Sequence, residues 1–219
     1  GESLQVVEGD ICDPAVLEKT FDRPPYDAVI HLAARAGVRP SREYPELYLR
    51  TNIEGTFRLL EAIKKAATPK LIFASSSSVY GLNKKLPFSE LDRIDQTISP
   101  YAATKLAGEQ LCSTYAHLNN IRTVCLRFFT VYGPRQRPDL AISKFTRLIN
   151  EGKPIPKFGD GSSARDYTYV EDIVEGIVAA LAYSGPIFDV FNLGGSQTTT
   201  LTELIELVER ALDKKAEIN

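Results

Sequence analysis

The stretches Asp27–Ala34 (DAVIHLAA), Lys70–Ser76 (KLIFASS) and Arg122–Phe129 (RTVCLRFF) lack the apolar–polar alternation of a strand with one wet face. An apolar run without alternation is covered on both sides. Between these runs, Pro14–Phe21, Pro45–Ala66 and Pro100–Leu118 carry apolar residues at three- and four-residue spacing, which predicts helices. Buried strands alternating with helices predict an α/β fold: a doubly wound parallel sheet with helices on both faces. Leu4–Val7 predicts a further strand, and Phe188–Gly195 and Leu201–Leu212 predict a closing strand and helix. Asp13 and Ser99 stand directly before Pro14 and Pro100, as N-caps do before a proline at the first helical position.

Composition narrows the function classes. The 219 residues suffice for one large domain, or one and a half. A net charge of −2 gives no field for nucleic acid or an anionic membrane. No run approaches the ~18 apolar residues of a membrane span. Three widely spaced cysteines, Cys12, Cys112 and Cys125, argue against a disulfide framework and for buried thiols in a reducing, cytoplasmic setting. His31 and His117 belong to no cluster with metal-ligand spacing, so no metal site is expected. The chain has no methionine and opens on a strand-like run, which reads as part of a longer product.

In open parallel sheets, ligands bind beyond the carboxyl ends of the strands. Those ends carry HLAARAGVR, ASSSSVYG and RFFTVYGPRQRPD. After the serines comes SPYAATKLAGE, in which Tyr101 and Lys105 share one helical face at i, i+4. A free tyrosine, with a pKa near 10, is a weak base at neutral pH. A neighbouring ammonium and a helix N-terminus both favour its phenolate. The pair suits base chemistry on an alcohol, and a serine hydroxyl at the strand end could assist it.

The segments GDICD, HLAARAGVR, TNIEGT, ASSSSVYG, SPYAATKLAGE, RFFTVYGPRQRPD, FGDGSSARDYTYVEDI and FNLGG follow one another along the chain. In this order they resemble the extended short-chain dehydrogenases/reductases that act on nucleotide sugars. The resemblance implies a Rossmann-like NAD-binding part over residues 1–133 and a mainly sugar-nucleotide-binding part over 134–219, with segments returning to the sheet. It implies Tyr101 as acid/base, Lys105 as its electrostatic partner and a ribose contact, and Ser76 as hydroxyl helper. NAD would lie along Asp10, Ile11, Ala33, Ala34, Asn52 and Phe128. The substrate would meet Gly37, Val38, Arg39, Ser77, Thr130, Arg137 and Arg165, with Thr130 and Arg165 on the diphosphate. A guanidinium forks readily onto phosphate oxygens. A homodimer through the 45–66 and 100–118 helices is also implied.

The same tyrosine serves several reactions in this family. Dehydratases place an Asp-Glu pair directly after the Ser/Thr helper, and glucuronate decarboxylases use a glutamate there. Here those places are Ser77 and Ser78, which are no carboxyl acids. Epimerisation at C4, by hydride removal and return, needs none. The basic loop with Arg135 and Arg137 suits an anionic sugar, and its resemblance to loops of the family's glucuronate-specific members implies that Arg137 binds the carboxylate. Interconversion of UDP-glucuronate and UDP-galacturonate is therefore the first expectation and UDP-glucose 4-epimerisation the second. A non-catalytic remnant is the third, because the family's G-x-x-G-x-x-G turn and first βαβ unit are not in this sequence. Without that unit, Leu4–Val7 is expected to lack a neighbour or, in a repacked form, to pair with Ala28–Leu32 or with a second copy of the chain.

Overall fold

The computed structural model describes residues 4–22, 26–157 and 159–219; Phe158 of the glycine-rich stretch lies outside them. In chain order the elements are α1 (Pro14–Phe21), β1 (Val29–His31), α2 (Val38–Glu43), α3 (Pro45–Tyr48), a π-helical turn (Leu49–Glu54) and α4 (Gly55–Lys65). Then come β2 (Lys70–Ser76), a 3₁₀ turn (Ser77–Tyr80), α5 (Pro100–Asn119), β3 (Arg122–Phe128), β4 (Thr130–Tyr132) and α6 (Ala141–Asn150). The chain closes with β5 (Ala164–Tyr169), α7 (Val170–Ala182), β6 (Phe188–Leu193), β7 (Thr198–Thr200) and α8 (Leu201–Leu212). It divides into two units: Gly1–Phe128 with Ile177–Asn192, and Phe129–Gly176 with Leu193–Asn219. Among the described residues no helix is long and apolar enough to cross a membrane.

The first unit is built on a sheet of order β1-β2-β3-β6, in which β1, β2 and β3 run parallel. Ser76 and Phe128 are register partners at the carboxyl ends of β2 and β3. Leu59, Leu60 and Ile63 of α4 pack with Leu71 and Phe73 of β2, Cys112 of α5 and Cys125 of β3. Burying each large aliphatic chain stabilises the fold by about 1.5–3 kcal/mol. All three cysteines are buried. Gly108 lets α5 lie close on the sheet, because a Cβ there would stand 2.4 Å from the Phe73 ring. The N-caps are as expected: Asp13 accepts from the Ala15 amide at 2.9 Å and Ser99 from the Ala102 amide at 3.1 Å.

Two expectations are corrected. Leu4–Val7 forms no strand and, among the described residues, enters no β-ladder; Leu4 is 91% exposed. A strand is held by its neighbours, and among the described residues β1, only three residues long, pairs with β2 alone. The predicted Pro45–Ala66 helix is interrupted by the π turn over Leu49–Glu54, which buries Asn52. Its apolar spacing survives the interruption because α4 resumes from Gly55 with Leu59, Leu60 and Ile63 inward.

The second unit has β4 parallel to β5 and β7 antiparallel to β5. Helices α6 and α8 share a core of Phe145, Ile149, Ile155, Leu204, Ile205 and Val208. A capping box opens α8: Thr200 Oγ1 accepts from the Glu203 amide at 3.2 Å, and the Glu203 carboxylate accepts from the Thr200 amide at 2.8 Å.

Candidate active site

Helix α5 carries Tyr101 and Lys105 and brings Lys105 to the carboxyl end of β2. Lys105 is buried, and its Nζ donates to the Ala74 carbonyl at 2.7 Å, two residues before Ser76. It also stands over the Phe73 ring, 5.2 Å from the centroid, where the π face favours a cation. Burial nonetheless pulls its pKa down to about 8. Tyr101 is half-buried, with its ring edge-on to Tyr48 and the centroids 6.3 Å apart. Ser76 is buried, and its Oγ accepts from the Ser78 amide at 3.2 Å, which starts the 3₁₀ turn carrying Ser77.

Asn52 ties this helix to the loop after β1. Its Nδ2 donates to the Arg35 carbonyl and to Thr104 Oγ1, both at 3.0 Å, and its Oδ1 accepts from the Arg35 amide at 2.8 Å. Thr104 donates onward to the Tyr101 carbonyl at 2.8 Å. The π turn makes this possible, since such turns re-aim one side chain within a helix. Thr56 Oγ1 donates to the Asn52 carbonyl at 2.6 Å, so its contact with His31 Nε2 at 3.0 Å is one in which the ring N–H donates. Burial and the Lys105 charge hold His31 down at about 4, so it is neutral near pH 7.

Asp10 and Ile11 lie beside the π turn. Asp10 accepts from the Cys12 amide at 2.8 Å and pairs with Arg50 at 3.3 Å; the amide first, then the arginine, lowers its pKa. Gly55 admits this segment, because a Cβ there would stand 2.7 Å from Ile11 Cδ1. Ala33 is exposed and Ala34 half-buried in the loop after β1; Gly37, Val38 and Arg39 begin α2, with Arg39 exposed. Phe128 is half-buried at the end of β3.

Thr130, Arg137 and Arg165 belong to the second unit. Thr130 is half-buried at the start of β4. Arg165, exposed on β5, donates to the Ala164 carbonyl at 2.7 Å. Arg137 forks onto Asp139, Nε to Oδ1 at 3.0 Å and Nη2 to Oδ2 at 2.8 Å, and this bond lowers the Asp139 pKa. Among the described residues no group of three or more His, Cys, Asp or Glu could hold a metal.

One set of buried polar residues escaped the sequence reading. Glu109, Arg127, Ser75 and Tyr80 join behind Ser76 and Lys105. The available signal was a charge in the middle of an apolar strand, Arg127 in RTVCLRFF.

Residues 1–194 match the NAD dependent epimerase/dehydratase family. The chain is 48% identical to UDP-glucuronate 4-epimerase 3 of Arabidopsis thaliana, over 98% of its own length and 54% of that protein. It thus spans about half the length of that relative. It is 44% identical to a UDP-glucuronate 4-epimerase of Thermodesulfobacterium geofontis, covering 98% of this chain and 66% of that one. Among solved structures, the Bacillus cereus UDP-glucuronic acid 4-epimerase in complex with UDP-glucuronic acid and NAD superimposes with a TM-score of 0.86 at 40% identity. That match covers 96% of this chain and 66% of the other. The Thermus thermophilus UDP-glucose 4-epimerase complex with NAD gives 0.89 at 32% identity, over 96% and 70%. With its parallel sheet, its Tyr101–Lys105 helix and these relatives, the chain belongs to the NAD-dependent epimerase/dehydratase family.

Proposed function

We propose that this chain is the catalytic part of a UDP-sugar 4-epimerase acting on UDP-glucuronate and UDP-galacturonate. The observation that carries the reading is the buried Lys105 ammonium at the carboxyl end of β2. It shares a helix face with Tyr101 and bonds to the Ala74 carbonyl, two residues short of Ser76. Tyr101 takes the proton of the C4 hydroxyl and returns it. Lys105 favours the phenolate, and Ser76 orients the sugar oxygen.

The residues present fit one side of a dinucleotide. The lysine cation and Phe128 suit the ribose and nicotinamide, the Arg35 loop is tied through Asn52 to the helix that carries the lysine, and the Asp10–Ile11 segment suits the adenosine. When bound there, NAD would supply hydride acceptance and return at C4. Functionally, residues 1–133 would hold the cofactor and residues 134–219 mainly the sugar nucleotide. Ser77, Gly37, Val38 and Arg39 would line the sugar, Thr130 and Arg165 its diphosphate. Arg137, already forked onto one carboxylate, has the chemistry for the hexuronate.

UDP-glucose is the second reading, favoured by that same Asp139 pairing, which leaves Arg137 occupied. Incubation of the chain with NAD and each UDP-sugar, with the 4-epimer separated by chromatography, tests both. Conversion of UDP-glucuronate is expected. Arg137→Ala should raise its KM about 10- to 100-fold, the range of a charged hydrogen bond of ~1.5–3 kcal/mol, and spare UDP-glucose. Equal losses on both sugars overturn the assignment.

We also propose a homodimer. Leu49, Ile53 and Phe57 lie at four-residue intervals and line one groove with Leu111 of α5. Leu49 and Phe57 are exposed. A species that is monomeric at all concentrations in sedimentation removes the idea. The three free thiols support a cytoplasmic location.

A further inference from the structure

Glu109 lies one turn beyond Lys105 and two beyond Tyr101 on the same helix. It is buried, and its carboxylate takes both Nε and Nη2 of Arg127, at 2.9 and 2.8 Å, and the hydroxyl of Ser75. Arg127 extends the network by donating to Tyr80 Oη at 3.0 Å, and Tyr80 donates to Asn192 Oδ1 at 2.7 Å. Ser75 directly precedes Ser76, Arg127 directly precedes Phe128, and Tyr80 ends the turn that carries Ser77. Ser75 and Arg127 are also register partners. Each of Glu109's links therefore leads to a neighbour of a candidate site residue.

A buried ion pair is a poor way to gain stability, because apolar residues of similar volume often hold a fold as well. Its bonds are directional, and it tolerates little sliding between helix and strands. We propose that Glu109 is a positioning residue of the epimerase site: through Ser75, Arg127 and Tyr80 it sets where Tyr101 and Lys105 stand against the ends of β2 and β3. This rests on the epimerase reading, but one of its consequences does not. Lys105 keeps its contact with the Ala74 carbonyl, and its dry surroundings, only while the helix holds that position.

The test replaces the pair by apolar residues, Glu109→Met with Arg127→Met. The Lys105 ammonium is followed by NMR pH titration of the chain without cofactor or sugar, and kcat and KM are measured with NAD and UDP-glucuronate. The expected result is a cooperative fold in which Lys105 titrates at least one unit higher, with kcat at least tenfold lower and KM within threefold. A folded double variant with Lys105 and kcat unchanged overturns the proposal. Ser75→Ala serves if the double variant does not fold. It keeps the ion pair and removes only the strand contact, so a smaller upward shift of Lys105 supports the proposal and an unmoved Lys105 overturns it. Failure of the unsubstituted chain to epimerise retires the functional reading alone, because the titration needs no substrate.

Discussion

Arg127 and Arg137 stand ten residues apart and make the same bond in opposite surroundings. Each lays Nε and Nη2 in a fork on one carboxylate. The Arg127 side chain is 5% exposed and its partner Glu109 3%; for Arg137 and Asp139 the values are 45% and 61%. Burial pushes the Arg127 guanidinium down, but Glu109 and Tyr80 more than offset this and leave its pKa raised. In the dry pair, neither partner can leave without stranding the other's charge. In the wet pair water replaces either partner at little cost, so the guanidinium can exchange one carboxylate for another. Identical geometry thus serves rigidity in one region and exchange in the other.

The sharpest way to break this comparison is to remove each arginine. Arg127→Ala should destabilise the chain by about 3–5 kcal/mol in urea denaturation, because it leaves a buried carboxylate unpaired. Arg137→Ala should stay within about 0.5 kcal/mol. Similar values for both would show that burial does not set the difference.

A second probe is acid. His31 is held at about 4 when folded, against 6.5 for a free side chain. Between those values the unfolded chain binds the extra proton, so stability must fall as pH drops from 6.5 to 4. The loss from this group is about 3 kcal/mol, read as the difference in unfolding free energy between pH 7 and pH 4. His31→Gln should flatten that part of the profile.

A smaller effect sharpens the wet side. Asp139→Asn removes the charge that holds Arg137, and should lower the KM for UDP-glucuronate by up to about fivefold while leaving UDP-glucose unchanged. Smallest is Thr200→Ala, which removes half of the capping box in the second unit. It should cost about 1 kcal/mol in denaturant and leave the Lys105 titration unmoved.

What could be read without coordinates followed from how local each signal is. Helix α1 with Asp13 and Pro14, β2, α5 with Ser99, and α8 carry their own start signals and periodicity. Tyr101 and Lys105 were legible because a four-residue spacing on one helix is itself a geometry. Leu4–Val7 misled because a short strand-like apolar run reports a wish for a partner, not the partner. The π turn was hidden because it answers to Arg35 and Thr104, distant in sequence from Asn52. Glu109 stood inside a motif already singled out. Its meaning depends on Arg127 and Ser75, two strands that no local pattern brings to it.

The π turn over Leu49–Glu54 also gives this segment a strict length. An α-helix advances by about 100° per residue. Upstream, Tyr48 is anchored by its hydroxyl on the Ala36 carbonyl at 3.0 Å; downstream, Leu59, Leu60 and Ile63 are anchored in the core. A one-residue deletion between these anchors would straighten the turn into ordinary helix. It would then force a choice of phase: keep the core and rotate Asn52 away from Arg35, or keep Asn52 and turn the core residues outward. Substitutions can drift along this helix, but its residue count cannot.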